Sequence, residues 1–208
     1  DYDFIEIGTS DFDTLLEKSD DKKRGLSIDP LQYYLDRLPD KENCQKVCCA
    51  IYDKEGEEDI YYITQETIDK YNLPNFVRGA GCLGGHHPFI RVLLNNQSDQ
   101  HPIGQVLDPE EIYSTKKVPV KRLKTIIDEY NVKSIKLLKI DAEGSDSKII
   151  LDYMKCCRDE GYPKPIVIQV EHVLMYHKTK RKVIDLITSQ GYRLMNSDID
   201  NMIFFKNK

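Results

Sequence analysis

Apolar and polar residues alternate along this chain in short blocks, and the period of each block predicts an element. "DFIEIG" (residues 3–8) reads as a strand, "DTLLEKS" (13–19) as a short helix, "RGLSID" (24–29) as a strand and "LQYYLDRL" (31–38) as a helix after Pro30. "QKVCCAIYD" (45–53) reads as a third buried strand and "EEDIYYIT" (57–64) as an alternating one at an edge or in a hairpin. Periodicity then lapses from Tyr71 to Pro109, a stretch rich in Gly, Pro, Asn and His, where a functional lid is expected. It returns in "VKRLKTIIDEY" (120–130), whose Leu123, Ile126, Ile127 and Tyr130 share one helical face, and in the strand "IKLLKID" (135–141). A helix follows in "DSKIILDYMKCC" (146–157), with Ser145 as N-cap and Ile149, Ile150, Tyr153, Met154 and Cys157 on one face. "PIVIQVEH" (165–172) is a continuous apolar strand and "KRKVIDLITSQ" (180–190) a helix stopped by Gly191. "GYRLMN" and "NMIFFK" close the chain as two strands around a turn at residues 197–201.

Strands alternating with helices imply an α/β fold with a mostly parallel sheet, helices on both faces and an antiparallel strand from the closing hairpin. In such sheets ligands bind beyond the carboxyl ends of the strands. The residues that end strands are therefore the candidates: Glu6 to Gly8, Asp29, Ala50 to Asp53, Asp141, and Glu171 with His172.

Composition narrows the classes without naming one. A length of 208 residues suits a single domain spanning 1–208. Thirty Lys+Arg against 35 Asp+Glu give a net charge of -5 with the signs mixed, so no nucleic acid is expected as partner. No apolar run approaches a membrane span and no signal sequence opens the chain, so no membrane insertion and a cytoplasmic location are expected. Cys44, Cys48, Cys49, Cys82, Cys156 and Cys157 form no CxxC pair and read as reduced core thiols.

The chemistry concentrates at the strand ends. Gly8 permits close backbone approach, and Thr9 and Ser10 add hydroxyls beside N–H groups that open the next helix, a turn suited to a carboxylate or phosphate. Asp29, about 20 residues on at the end of the second strand, is placed to take both hydroxyls of an adenosine ribose. "LLKIDAEGSD" (137–146) brings Asp141, Glu143 and Asp146 to one sheet edge, and helix capping explains only one of the three carboxylates.

With these residues in view, the chain resembles the FkbM-type S-adenosylmethionine-dependent methyltransferases. The resemblance runs through the "EIG" turn, the "SIDP" strand end, "VPVKRLKTIIDEY" leading into "LLKIDAEGSD", the "VEH" strand end and the closing hairpin. It implies a class I methyltransferase fold, Rossmann-like, with a seven-stranded sheet whose last strand is antiparallel, and S-adenosyl-L-methionine as cofactor. By position, Glu6, Gly8, Thr9 and Ser10 would face the methionine end, Asp29 the ribose, and Ala50 and Ile51 the adenine. Phe12 departs from the second glycine usual in the family. The family also generally has further structure before the first strand, so a domain cut from a longer polypeptide, fused to other domains, is expected.

The resemblance points to O-methylation of a hydroxyl, with a sugar or glycan as acceptor. Asp141, Glu171 and His172 end strands expected to be neighbours; they could hold a Mg²⁺ or Mn²⁺ ion against a sugar diol, as related sugar O-methyltransferases do, or His172 could act alone as base. His87, beside His86 in "RGAGCLGGHHP", is a further candidate base, whereas His101 and His177 are left to the surface. Among rivals, a nicotinamide dehydrogenase lacks its glycine-rich turn here. A sugar-nucleotide glycosyltransferase would use Asp11-Phe12-Asp13 as a metal clamp but leaves "KIDAEGSD" unexplained. A non-catalytic cofactor-binding interaction domain remains the alternative from another class.

Overall fold

The computed structural model describes residues 1–12, 14–88, 90 and 108–207; Asp13 and His101 lie outside the described residues. In chain order the strands are β1 (Tyr2–Ile7), β2 (Gly25–Asp29), β3 (Cys44–Cys48), β4 (Ala50–Tyr52), β5 (Gly56–Tyr62), β6 (Cys82–Leu83), β7 (Ser114–Arg122), β8 (Ile135–Ile140), β9 (Val167–Glu171), β10 (Tyr192–Ser197) and β11 (Asn201–Lys206). The α-helices are α1 (Leu15–Lys18), α2 (Gln32–Leu35), α3 (Gln65–Tyr71), α4 (Pro109–Ile112), α5 (Leu123–Glu129), α6 (Asp146–Asp159) and α7 (His177–Ser189). Two compact units result, one of Asp1–Gly56 with Pro119–Lys208 and one of Glu57–Val118.

The first unit is built on a seven-stranded sheet in the order β3-β2-β1-β8-β9-β11-β10. Its pairings are parallel except at β11, which runs antiparallel to both β9 and β10. The hairpin turn explains that reversal, because Asp198 Oδ1 accepts the N–H groups of Asp200 (3.0 Å) and Asn201 (2.6 Å) and folds the chain straight back.

Alternation along the strands divides this sheet into two unlike faces. On one, Ile5, Ile7, Leu26, Ile28, Leu138, Ile140, Ile168 and Val170 are buried against Ile126 and Ile127 of α5, Ile149, Ile150 and Tyr153 of α6, and Val183 and Ile187 of α7. Each such side chain contributes about 1.5–3 kcal/mol on burial. The other face holds a smaller cluster of Phe4, Leu16, Leu35 and Leu38, supplied by β1, α1, α2 and the turn after α2. Next to that cluster the face turns polar: Ser27, Glu6, Lys139 and Gln169 stand level with one another across β2, β1, β8 and β9. Two residues further along each strand, on the same face, come Asp29, Gly8, Asp141 and Glu171. Of the expected site residues, Glu6, Gly8, Asp29, Asp141 and Glu171 thus share one face toward the carboxyl ends of the strands.

Around that frame several expected elements shift. "QKVCCAIYD" is two strands, not one: the chain breaks at Cys49, and β4 pairs in parallel with the end of β7 through Ala50↔Val120 and Tyr52↔Arg122. "VKR" therefore belongs to a strand, and the helix begins only at Leu123. β7 shows the period that marks it, with Val118 and Val120 buried between exposed Lys117 and Pro119. The cysteines are free, with Cys49, Cys82, Cys156 and Cys157 buried, as expected of core thiols.

The second unit has an apolar core of its own. β5 pairs antiparallel with β6, and Thr64 caps α3 by accepting the Thr67 N–H. Ile63, Ile68, Leu73, Val77, Ala80, Ile90, Ile112 and Tyr113 are buried together. The described part of the aperiodic stretch contains a 3-10 helix at Asn75–Gly79 and strand β6. Residues 89 and 91–107 of the stretch where a lid is expected lie outside the described residues.

Candidate functional site

The turn after β1 is shaped by Gly8 and Asp29. Gly8 has φ 77°, and a Cβ on it would lie 1.7 Å from the Asp141 carbonyl oxygen, so only glycine fits between the ends of β1 and β8. The close approach that the glycine permits is thus to the protein's own backbone. The N–H groups of this turn are likewise engaged: Gly8 N–H (2.9 Å) and Thr9 N–H (3.4 Å) donate to the Ile28 carbonyl, and Ser10 N–H donates to Asp29 Oδ2 (3.0 Å). They are not the free donors expected for a ligand carboxylate. What the turn leaves open is the buried Ser10 hydroxyl, which has no partner among the described residues, on a backbone held at φ 53°.

Asp29 also accepts the Leu31 N–H through Oδ1 at 2.8 Å. Burial pushes its pKa up to about 6, with the two N–H donors opposing and Asp11 adding to the rise. Each of its oxygens keeps a second lone pair, so a diol can still bind there. Glu6 has a more completely structural place. It is fully buried, receives the Leu15 N–H at 2.9 Å at the start of α1 and forms an ion pair with Lys139 at 2.9 Å. Burial raises its pKa, against the pull of Lys139. Ala50 and Ile51 are buried in β4, and Ile51 is part of the main core.

The ends of β8 and β9 differ in kind. Ile140 pairs with Val170, so Asp141 and Glu171 follow side by side on adjacent strands, roughly 4.8 Å apart in the sheet. Asp146, buried at the start of α6, is the carboxylate that shapes the loop, accepting the N–H groups of Ala142 (2.8 Å) and Gly144 (3.0 Å). Asp141 is tied only loosely, to Lys139 at 3.9 Å. Glu171 has its Oε2 buried without a partner among the described residues. Desolvation, with Glu143, Asp146 and Glu6 adding and Lys139 opposing, pushes Asp141 up to about 7. Desolvation, then Asp141, Glu143, Asp146 and Asp200, pushes Glu171 up to about 9. At neutral pH the pair keeps a proton and can accept another.

Other expected residues fall elsewhere. His172 lies within 3.1 Å of the Asp198 carbonyl through Nε2, and its Nδ1 lies 3.3 Å from the Lys180 ammonium. The same ammonium lies 3.2 Å from Nε2, and the Ser197 hydroxyl lies 3.4 Å from that nitrogen, so the imidazole is already surrounded by groups of the protein. Among the described residues no group of three or more His, Cys, Asp or Glu side chains is disposed to hold a metal ion, so Asp141, Glu171 and His172 do not form the expected ligand set. His87 belongs to the second unit, where it is 5% exposed and its Nδ1 accepts the Ile90 N–H at 3.4 Å, the place of a core histidine. Asp11 is ion-paired with Arg37 at 3.2 Å, which engages the first arm of the expected Asp11-Phe12-Asp13 clamp. Lys139 is the residue that sequence reasoning passed over. Its signal was its spacing: two positions before Asp141 on a strand, it had to share that side chain's face.

A model of the FkbM methyltransferase domain matches residues 5–194. The chain belongs to the FkbM methyltransferase family. It is therefore a methyltransferase, and membership implies S-adenosylmethionine as methyl donor. Comparison with curated proteins and with solved structures finds no match. The mostly parallel seven-stranded sheet with helices is consistent with a methyltransferase fold. No helix among the described residues is long and apolar enough to cross a membrane.

The site of this FkbM domain fits such a donor in charge. The donor has a cationic sulfonium, an ammonium group, a carboxylate and a ribose diol. The Asp141 and Glu171 pair, keeping one proton at neutral pH, leaves one negative charge for a cationic group, Asp29 retains lone pairs for the diol, and the Ser10 hydroxyl is a donor without an acceptor among the described residues.

Proposed function

We propose that this protein is an S-adenosylmethionine-dependent O-methyltransferase of the class I type, acting on a hydroxyl of a sugar or glycan. Bound donor would supply an activated methyl group; Asp29 would hold its ribose, and the Ser10 hydroxyl the carboxylate of its amino-acid end. The observation that carries the reading is the adjacent pair Asp141 and Glu171, whose carboxyls the fold leaves without firm partners. An alcohol must lose its proton as its oxygen attacks carbon, and a base helps most when its pKa lies near the working pH. Asp141, pushed up to about 7, meets that requirement. Glu171, which keeps its proton to about 9, can donate a hydrogen bond that orients a second hydroxyl of a sugar. Two carboxyls in different protonation states suit a polyol, which presents donors and acceptors together. A cytoplasmic location belongs to the same reading.

Transfer of labelled methyl from S-adenosylmethionine across oligosaccharide, protein and RNA acceptors tests this. Labelled oligosaccharide is expected, with a rate that rises as pH passes through about 7. Labelling of protein or RNA alone would overturn the acceptor class.

A further inference from the structure

The chain carries a net charge of -5, yet "HKTKRK" (177–182) sets Lys178, Lys180, Arg181 and Lys182 in the first two turns of α7. Lys180 is accounted for, since its ammonium lies 3.2–3.3 Å from the His172 ring nitrogens. The other three are exposed, and none has an ion pair among the described residues. α7 buries Val183 and Ile187 against the sheet, so Lys178, Arg181 and Lys182 fall on its outer side, three and four residues apart. Like charges at those spacings repel, and the positive end of the helix dipole repels them further. Asp185, on the same side of the helix, makes no ion pair with them among the described residues.

α7 starts at the same carboxyl edge of the sheet as the candidate site, on the opposite face. Glu171 ends β9, the His172 N–H donates to the Asp200 carbonyl at 2.8 Å, and α7 starts at His177. Lys180 ties that helix start to the residue after Glu171. The connecting loop also exposes Val173 (48%) and Tyr176 (85%), the latter at the N-cap of α7. A tyrosine ring offers an apolar face and a polar tip, as a sugar ring does.

We propose that Lys178, Arg181 and Lys182, with Tyr176, form an arm that binds an anionic acceptor, a sugar or oligosaccharide bearing carboxylate or phosphate groups. This rests on the functional reading above and narrows it from glycans in general to acidic ones. The arm would bring the anionic part of the acceptor to the start of α7 and leave a neutral hydroxyl for Asp141 and Glu171.

Calorimetry on the intact protein, without methyl transfer, separates the two readings. The probes are a galacturonate oligomer, a hexose phosphate, a neutral galactose oligomer of the same length, phosphatidylserine vesicles and an RNA oligomer. The acidic sugars are expected to bind about tenfold or more tightly than the neutral one, with an affinity that falls as salt rises. The triple variant Lys178→Ala, Arg181→Ala, Lys182→Ala should lose that preference and keep its Tm, since alanine is at least as good a helix former. The charge reversal Lys178→Glu with Lys182→Glu should lower affinity for acidic sugars further. Equal affinity for acidic and neutral sugars, an unchanged preference in the triple variant, or binding of vesicles or RNA in place of acidic sugars would each overturn the arm. Acidic-sugar binding with no methyl transfer to any sugar would support the arm and sink the proposed reaction.

Discussion

The carboxylates at the ends of β1 and β2 and those at the ends of β8 and β9 share one face of one sheet, yet the fold treats them differently. Glu6 and Asp29 are buried and satisfied: each receives backbone N–H groups, and Glu6 has Lys139 as well. Asp141 has one ion pair at 3.9 Å, and Glu171 has a buried oxygen with no partner among the described residues. The difference teaches which acidic groups build the site and which remain for chemistry. A satisfied buried carboxylate is part of the scaffold, and removing it strands its donors. An unsatisfied one costs stability while the site is empty, which a fold retains where function needs it.

The largest expected effect breaks the comparison at its shared boundary. Gly8→Ala forces a Cβ against the Asp141 carbonyl oxygen at a left-handed φ, and should cost about 4 kcal/mol or more in urea unfolding. A change below 1 kcal/mol there would mean that the two strand ends are not locked together. Next comes Asp29→Ala, which strands the N–H groups of Ser10 and Leu31 and should cost about 2–4 kcal/mol. The same variant should bind S-adenosylhomocysteine more weakly by calorimetry.

On the other side of the comparison, Asp141→Asn removes the base and no backbone hydrogen bond. It should slow methyl transfer about a hundredfold or more and leave urea stability nearly unchanged. Equal losses of stability and activity would place Asp141 with the scaffold. A smaller effect concerns Glu171 and pH. The folded-state pKa values of Asp141 (about 7) and Glu171 (about 9) lie above the ordinary carboxyl range, so the folded state holds these protons more tightly than the unfolded chain does. Their contribution to stability is therefore fully present below about pH 4 and is lost as pH rises through about 7 and then about 9. Glu171→Gln should flatten the upper part of that fall and raise Tm at pH 8.5 by about 2–4 °C. The smallest effect is expected from EDTA, which should leave turnover unchanged because no described group of side chains is arranged to hold a cation; loss of turnover restored by Mg²⁺ would reverse that.

Much of this division was half visible in the sequence. The strand ends could be found because a strand rich in Ile, Leu and Val stops abruptly at an acidic residue, as at Ile28-Asp29 and Ile140-Asp141. The sorting of the acids was not visible, because it depends on which N–H groups come near each carboxylate. Ser10 lies 19 residues from Asp29, and Glu6 lies 133 from Lys139, separations at which spacing says nothing about contact. His172 could not be judged either, since Lys180 and the Asp198 carbonyl reach it only through the packing of α7 and the closing hairpin. Sequence also misplaced the segment around Cys49, where a continuous apolar run conceals a change of partner strand.

The sequence by itself determined the class of element at most positions, the parallel character of the sheet and its closing hairpin, and family membership, because periodicity and short motifs are local properties. It also marked Gly8 as a point of close backbone approach. Tertiary structure decided why. The missing side chain makes room for the Asp141 carbonyl, a group 133 residues away along the chain. It also decided that β11 inserts between β9 and β10, and that Asp141 and Glu171 are the carboxyls left over. Hydrogen bonds and desolvation act through space, and only the folded chain sets those distances.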